Sequence, residues 1–237
     1  MKQLILASTS TLHGGAPLQY LESELKVLFS NTKEILFIPY ARPGGINYDD
    51  YTKYISKAFK DIGKQVKGIH EFNNPKLAIK QASAIYVGGG NTFVLVNQLY
   101  KNNCIEILKE VIEQGTPYLG TSAGSNIAGV SMQTTNDMPI VYPPSFKTLG
   151  VVPFNINPHY LDPDINSTFM GETRETRLKE FHAFNDEPVV GLREGSWITV
   201  KNEDIKLNGK LSARVFLKDN EAVELSTNNS LKYFTEL

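Results

Sequence analysis

Ser122 is the residue whose surroundings best suit chemistry. It stands in Pro-Tyr-Leu-Gly-Thr-Ser-Ala-Gly-Ser-Asn, residues 117–126. Gly120-Thr121-Ser122-Ala123-Gly124 has the G-x-S-x-G form, with apolar Tyr118 and Leu119 before it and Ile127, Ala128 and Val130 at helix-like spacing after it. Strand, tight turn and helix form the context in which that pattern presents a nucleophilic hydroxyl. Small neighbours let the middle residue adopt a strained backbone conformation. The helix start behind it offers N–H groups to developing negative charge. A Gly/Ser turn without chemistry has the same composition, so the partners elsewhere in the chain decide.

Of the four histidines, His159 follows Asn157-Pro158 at the end of a predicted strand, where a general base could reach a serine. His13 and His70 lie in surface-like contexts, and His182 reads as structural, on a charged helix beside Phe181. Asp137 and Glu194 both lie at apparent strand ends or pocket loops, and either could orient the imidazole. Asp137 gives the chain order Ser, Asp, His, but triads occur in several orders. Gly88-Gly89-Gly90-Asn91 is not a dinucleotide fingerprint, because Phe93 fills the third glycine position, and no Lys-Ser/Thr pair makes it a phosphate loop. It reads as a strand-to-helix turn capped by Asn91, with backbone N–H groups available to an oxyanion beside Ser122. Arg174 and Arg177 share a helix face with glutamates, which suits solvated pairing. The functional alternative is bidentate binding of a substrate carboxylate. No metal set is apparent, with neither H-E-x-x-H nor a cysteine pair.

The elements that must position these groups alternate. Leu4–Ala7, Ile35–Ile38, Val66–Ile69, Ala84–Val87 and the run before Ser122 read as strands. Helix-period segments separate them: Leu18 to Leu28, Tyr48 to Ile62 closed by Gly63, the segment after Asn91, and Ile105 to Ile112 stopped by Gly115. Alternation predicts an α/β fold, with a mainly parallel sheet, helices on both faces and a ligand at the carboxyl ends of the strands. Gly88–Gly90 and Ser122 fall at two such ends. Beyond Ser131, residues 132–144 read as a loop over the pocket. Phe154–Asn157 and Val189–Leu192 read as strands, Glu172–Phe181 as a charged helix, and the last segments from Trp197 as closing hairpins.

The chain has 237 residues, 41% hydrophobic and 21% charged, as in an ordinary globular protein, and residues 1–237 read as one catalytic domain. A formal net charge of -1 gives no electrostatic reason to expect nucleic acid or an anionic membrane as partner. The single cysteine, Cys104, excludes an internal disulfide and sits among Ile105, Ile107 and Leu108 as a core thiol. The short apolar run at the start reads as a strand and not a signal peptide, so the expected location is cytoplasmic.

Five stretches converge on one family: Gly-Thr-Ser-Ala-Gly-Ser-Asn at 120–126, Thr-Thr-Asn-Asp-Met-Pro-Ile-Val-Tyr-Pro-Pro-Ser-Phe at 134–146, Ile-Asn-Pro-His-Tyr-Leu-Asp at 156–162, Met-Gly-Glu-Thr-Arg-Glu at 170–175 and Gly-Leu-Arg-Glu-Gly-Ser-Trp at 191–197. Together with Gly88–Asn91 they resemble, in order, peptidase E, the α-aspartyl dipeptidase family of serine peptidases, and the similarity covers nearly the whole chain. The resemblance implies a flavodoxin-like fold related to class I glutamine amidotransferases, with Ser122 in the place of their catalytic cysteine. It implies cytoplasmic hydrolysis of dipeptides with a free N-terminal aspartate, without metal or cofactor. Ser122 would be the nucleophile and His159 the base. The family offers carboxylates matching both Asp137 and Glu194. Glu194 is preferred because it follows a predicted strand, with Asp137 as an alternate or pocket-organising residue. The oxyanion would be held by the N–H of Ala123 and one from Gly89 or Gly90. A buried substrate carboxylate needs a cation, for which Arg174 is the first choice and Arg177 the second. Rival readings are a cyanophycinase-like β-aspartyl peptidase and an inactive small-molecule-binding module. The expected partner is a small peptide, and the expected state a monomer or homodimer.

Overall fold

Leu4 to Ala7 are buried on both faces of strand β1 (Gln3–Ala7), as in a strand at the centre of a sheet. The computed structural model describes residues 1–231 except 165, 167 and 169. The other apolar runs also become strands: β2 (Glu34–Ile38), β3 (Gln65–Gly68), β4 (Ile85–Val87) and β5 (Tyr118–Thr121). Helices α1 (Glu22–Leu28), α2 (Tyr48–Lys60), α3 (Pro75–Gln81), α4 (Thr92–Lys101) and α5 (Ile105–Gln114) separate them, and α6 (Ala123–Asn126) follows β5. The second part holds β6 (Asn155–Pro158), α7 (Arg174–His182), β7 (Val189–Leu192), β8 (Ser196–Lys201), β9 (Asp204–Gly209), β10 (Ala213–Phe216) and β11 (Val223–Leu225).

Two sheets form, and the fold is mixed α/β. The first has the order β3-β2-β4-β5-β1-β8-β9, with the first five strands parallel and β8 and β9 antiparallel at the edge. The second has the order β11-β10-β7-β6, with β6 and β7 parallel and the rest antiparallel. The mainly parallel expectation therefore holds for the first sheet, whereas in the second only β6 and β7 pair in parallel. Short connections such as Asn202-Glu203, with Asn202 at φ 56°, allow only antiparallel pairing. The period-two alternation of β1 divides the core. Leu4 and Leu6 pack in one cluster with α4, α5 and the inner residues of β6 and β7, while Ile5 and Ala7 pack with α1 and α2 on the other face.

Two local expectations need correction. The helix after Ser122 was expected to carry Ile127 to Val130, but it ends at Asn126. Instead the backbone carbonyls of Ile127 to Val130 accept from the N–H groups of 148–151, tying this stretch to a neighbouring segment. Helix α3 was not anticipated, although Asn74 caps it by accepting from the N–H of Leu77 and Pro75 opens it.

Candidate active site

Ser122 sits at the tip of β5 with φ 52° and ψ -112°, the strained conformation its glycine neighbours were expected to permit. Those neighbours let backbones touch. A Cβ on Gly124 would collide with the carbonyl of Val87 at the end of β4, and one on Gly120 with the carbonyl of Gly124. The Ser122 N–H donates to Ala7 O at 3.1 Å, which fixes the turn against the end of β1.

His159 follows the last residue of β6 and also lies in the left-handed region, at φ 53°. Its Nε2 is 2.9 Å from Ser122 Oγ, and its Nδ1 is 2.6 Å from Glu194 Oε1. With Nδ1–H donating to the carboxylate, Nε2 keeps its lone pair and accepts from the Ser122 hydroxyl. The imidazole and Glu194 side chains are 36% and 48% exposed, so the relay is open to a substrate from solvent. Glu194 lies between β7 and β8, where the chain passes from the second sheet to the first. Its neighbour Arg193 anchors that passage. Arg193 Nε and Nη2 donate to the two oxygens of Asp162, and Nη1 and Nη2 to those of Glu224. Hydrogen bonds from Arg193, then from Ser212, hold the Glu224 carboxyl below its ordinary value.

Asp137 does not meet the imidazole. Its Oδ2 accepts from the N–H and hydroxyl of Thr92 at 2.7 and 2.6 Å and from the Thr135 hydroxyl at 3.0 Å. It thereby holds residues 135–138 on the start of α4, while Asn136 Nδ2 donates to Pro158 O beside His159. Asn91 caps α4 as expected, accepting from the N–H of Val94. Gly89 backs directly onto Ser122, since a Cβ there would lie 3.0 Å from that of Ser122. The N–H groups of Gly89 and Gly90 have no acceptor among the described residues. Gly90, at φ 143°, is pressed against the carbonyl of Ala41, where no side chain fits.

The two arginines differ. Arg177 is exposed, pairs with Glu172 at 3.7 Å and lines an apolar groove with Phe93, Phe146, Phe181 and Phe184. Arg174 is half-buried and has no carboxylate within 4.0 Å among the described residues. Burial and then Arg177 draw its guanidinium below the ordinary value, while the charge of Asp137 opposes them. It is a partly desolvated cation on the Asp137 side of the site.

Cys104 is buried, and burial pushes its thiol up to about 11, which leaves it inert. His182 is buried against the Glu187 carbonyl. His70 is half-buried and paired with Asp49 at 2.9 Å, not surface-like as the sequence suggested. Among the described residues no three His, Cys, Asp or Glu side chains gather as a metal set. No helix there is long and apolar enough to cross a membrane. Sequence reasoning missed Ser8, Thr92 and Arg193. Ser8 could have been flagged, since the end of a central strand belongs to the same rim as Ser122.

A relay from hydroxyl to imidazole to carboxylate beside free backbone N–H groups can carry out acyl transfer. Residues 4–208 match the model described as "Peptidase family S51". The chain belongs to that family. Relatives match along nearly their whole length. "Peptidase E" of Streptomyces coelicolor is 46% identical over 228 residues, covering 96% of this chain and 93% of the relative. "Probable alpha-aspartyl dipeptidase" of Drosophila melanogaster is 45% identical over 228 residues, covering 95% and 94%. The fold is shared with the crystal structure of a peptidase from an acI-B1 Actinobacterium, at a TM-score of 0.67 and 17% identity over 98% of this chain and 96% of that one. As an S51 member the chain is a serine-type peptidase.

Proposed function

We propose that this protein is a cytoplasmic dipeptidase that hydrolyses dipeptides with a free N-terminal aspartate through an acyl-enzyme. The observation that carries the reading is the relay Ser122–His159–Glu194 in an S51 chain. The substrate class comes from the relative named for α-aspartyl dipeptides. In this reading His159 Nε2 takes the Ser122 proton as Oγ attacks the aspartyl carbonyl. The C–N bond then breaks and the imidazolium returns that proton to the leaving amine. Water, deprotonated by the same nitrogen, releases aspartate and restores the serine. Glu194 orients the imidazole and offsets its positive charge. The N–H of Ala123 and one from Gly89 or Gly90 hold the oxyanion, each worth about 3 kcal/mol of barrier. Asp137 organises the pocket wall.

Arg174 binds the substrate's β-carboxylate. It is half-buried and has no carboxylate within 4.0 Å among the described residues, so the substrate's own would supply a partner. Arg177 is the second candidate. We read residues 1–237 as one catalytic domain whose parallel core is flavodoxin-like, of the class I glutamine amidotransferase kind.

Hydrolysis of Asp-Leu and Asn-Leu by wild type and Arg174→Ala tests the substrate reading. The wild type should prefer Asp-Leu, and the variant should lose most of that preference. An unchanged preference assigns the carboxylate to another residue. Activity on β-aspartyl-arginine polymer but not on Asp-Leu would replace the reading with the cyanophycinase-like one.

A further inference from the structure

The hydroxyl of Ser8, the residue after β1, is fully buried and joins three distant segments. It donates to the carbonyl of Leu192, the last residue of β7, at 2.7 Å. It accepts from the backbone N–H of His159 at 2.9 Å. The same Leu192 carbonyl accepts from the Tyr160 N–H at 3.1 Å, and the Ser8 N–H donates to Ser196 O at 3.1 Å. The preceding residue, Ala7, accepts from the Ser122 N–H. Two consecutive residues of one strand end thus fasten the backbone of Ser122 on one side and that of His159 on the other. Leu192 lies two residues before Glu194, so the third member of the relay hangs from the same point.

His159 needs such a fastening. A residue with a large side chain at φ 53° relaxes to negative φ unless its surroundings hold it. That relaxation would swing the imidazole away from Ser122 Oγ. The His159 N–H would also lose its acceptor if the Ser8 oxygen were removed.

We propose that Ser8 is a positioning residue for the reaction. Its hydroxyl holds His159 in the left-handed conformation and so sets the reach of Nε2 to Ser122. It touches no substrate, because it is fully buried and its one donor is committed to Leu192. The inference rests on the assignment of Ser122 and His159 as nucleophile and base.

The test is steady-state hydrolysis of Asp-Leu by the full chain, with Ser8→Ala, His159→Ala, Ser122→Ala and the double variant Ser8→Ala/His159→Ala. Circular dichroism and thermal midpoints establish that each is folded at the assay temperature. Ser8→Ala should lower kcat about 100-fold, the cost of an ångström-scale displacement of a catalytic group, with KM nearly unchanged. In the His159→Ala background the same change should cost less than about twofold, because no imidazole remains to be placed. Should Ser8→Ala not fold, Ser8→Cys is measured in the same cycle. Wild-type kcat in a folded Ser8 variant, a rise in KM alone, a full loss repeated in the His159→Ala background, or failure of both Ser8 variants to fold would each overturn the inference. Retained activity in Ser122→Ala would instead overturn the proposed function.

Discussion

Both ring nitrogens of His159 are committed, one to a hydroxyl and the other to a carboxylate, and this separates Glu194 from Asp137. On the proposed mechanism, Glu194→Gln would remove the charge that offsets the imidazolium and unsettle the tautomer. It is expected to lower kcat about 10³-fold with little change in KM, read by steady-state kinetics on Asp-Leu. Ser122→Ala should lose at least about 10⁴-fold while its circular dichroism spectrum stays that of wild type. Asp137→Asn weakens contacts to Thr92 and leaves the imidazole's partner in place, so its loss in kcat should be at least about tenfold smaller than that of Glu194→Gln. Ser122 and His159 were legible in the sequence because each follows a short apolar run at a strand end. The choice between the carboxylates was not, because linear spacing does not say which loop faces which strand tip. The place of Ser8 at a central strand end was legible, but its partners were not, because they lie 151 and 184 residues away.

Elements matter here through how closely their backbones approach. Helix α6 lies so near β4 that Gly124→Ala drives a Cβ into the carbonyl of Val87. The strand and helix must then separate, at an expected cost of about 1–3 kcal/mol in urea unfolding. Asn91→Ala removes the side-chain acceptor at the start of α4 and should cost about 1 kcal/mol in the same measurement. Strands β1, β2, β4 and β5 were readable because strands buried on both faces show as near-continuous apolar runs, whereas β3 at the sheet edge reads Gln-Val-Lys-Gly. The early end of α6 was not readable, because Ile127, Ala128 and Val130 fit a helix in isolation and only pairing with 148–151 removes them from it. Asn74-Pro75 did announce α3, through chemistry that an apolar-spacing search ignores.

At the scale of the whole molecule, Arg193 joins the loop after β6 to β11 through Asp162 and Glu224. Glu224 is depressed in the folded state, so the unfolded chain binds its proton more readily and stability falls as pH drops. The contribution is complete above the ordinary value of 4.5 and is lost as pH falls through the lower folded value. Glu224→Gln should therefore lower the urea midpoint at neutral pH and flatten its decline in acid. The division into two sheets has a consequence for how the enzyme comes into being. Gly89, Gly90 and Ser122 belong to the strand ends of the first sheet, whereas His159 and Glu194 hang from the second. A growing polypeptide that has emerged only as far as residue 150 carries the Ser122 hydroxyl without the His159 imidazole that meets it. On the mechanism proposed above, peptide cleavage would wait until the later half of the chain has been made and has docked.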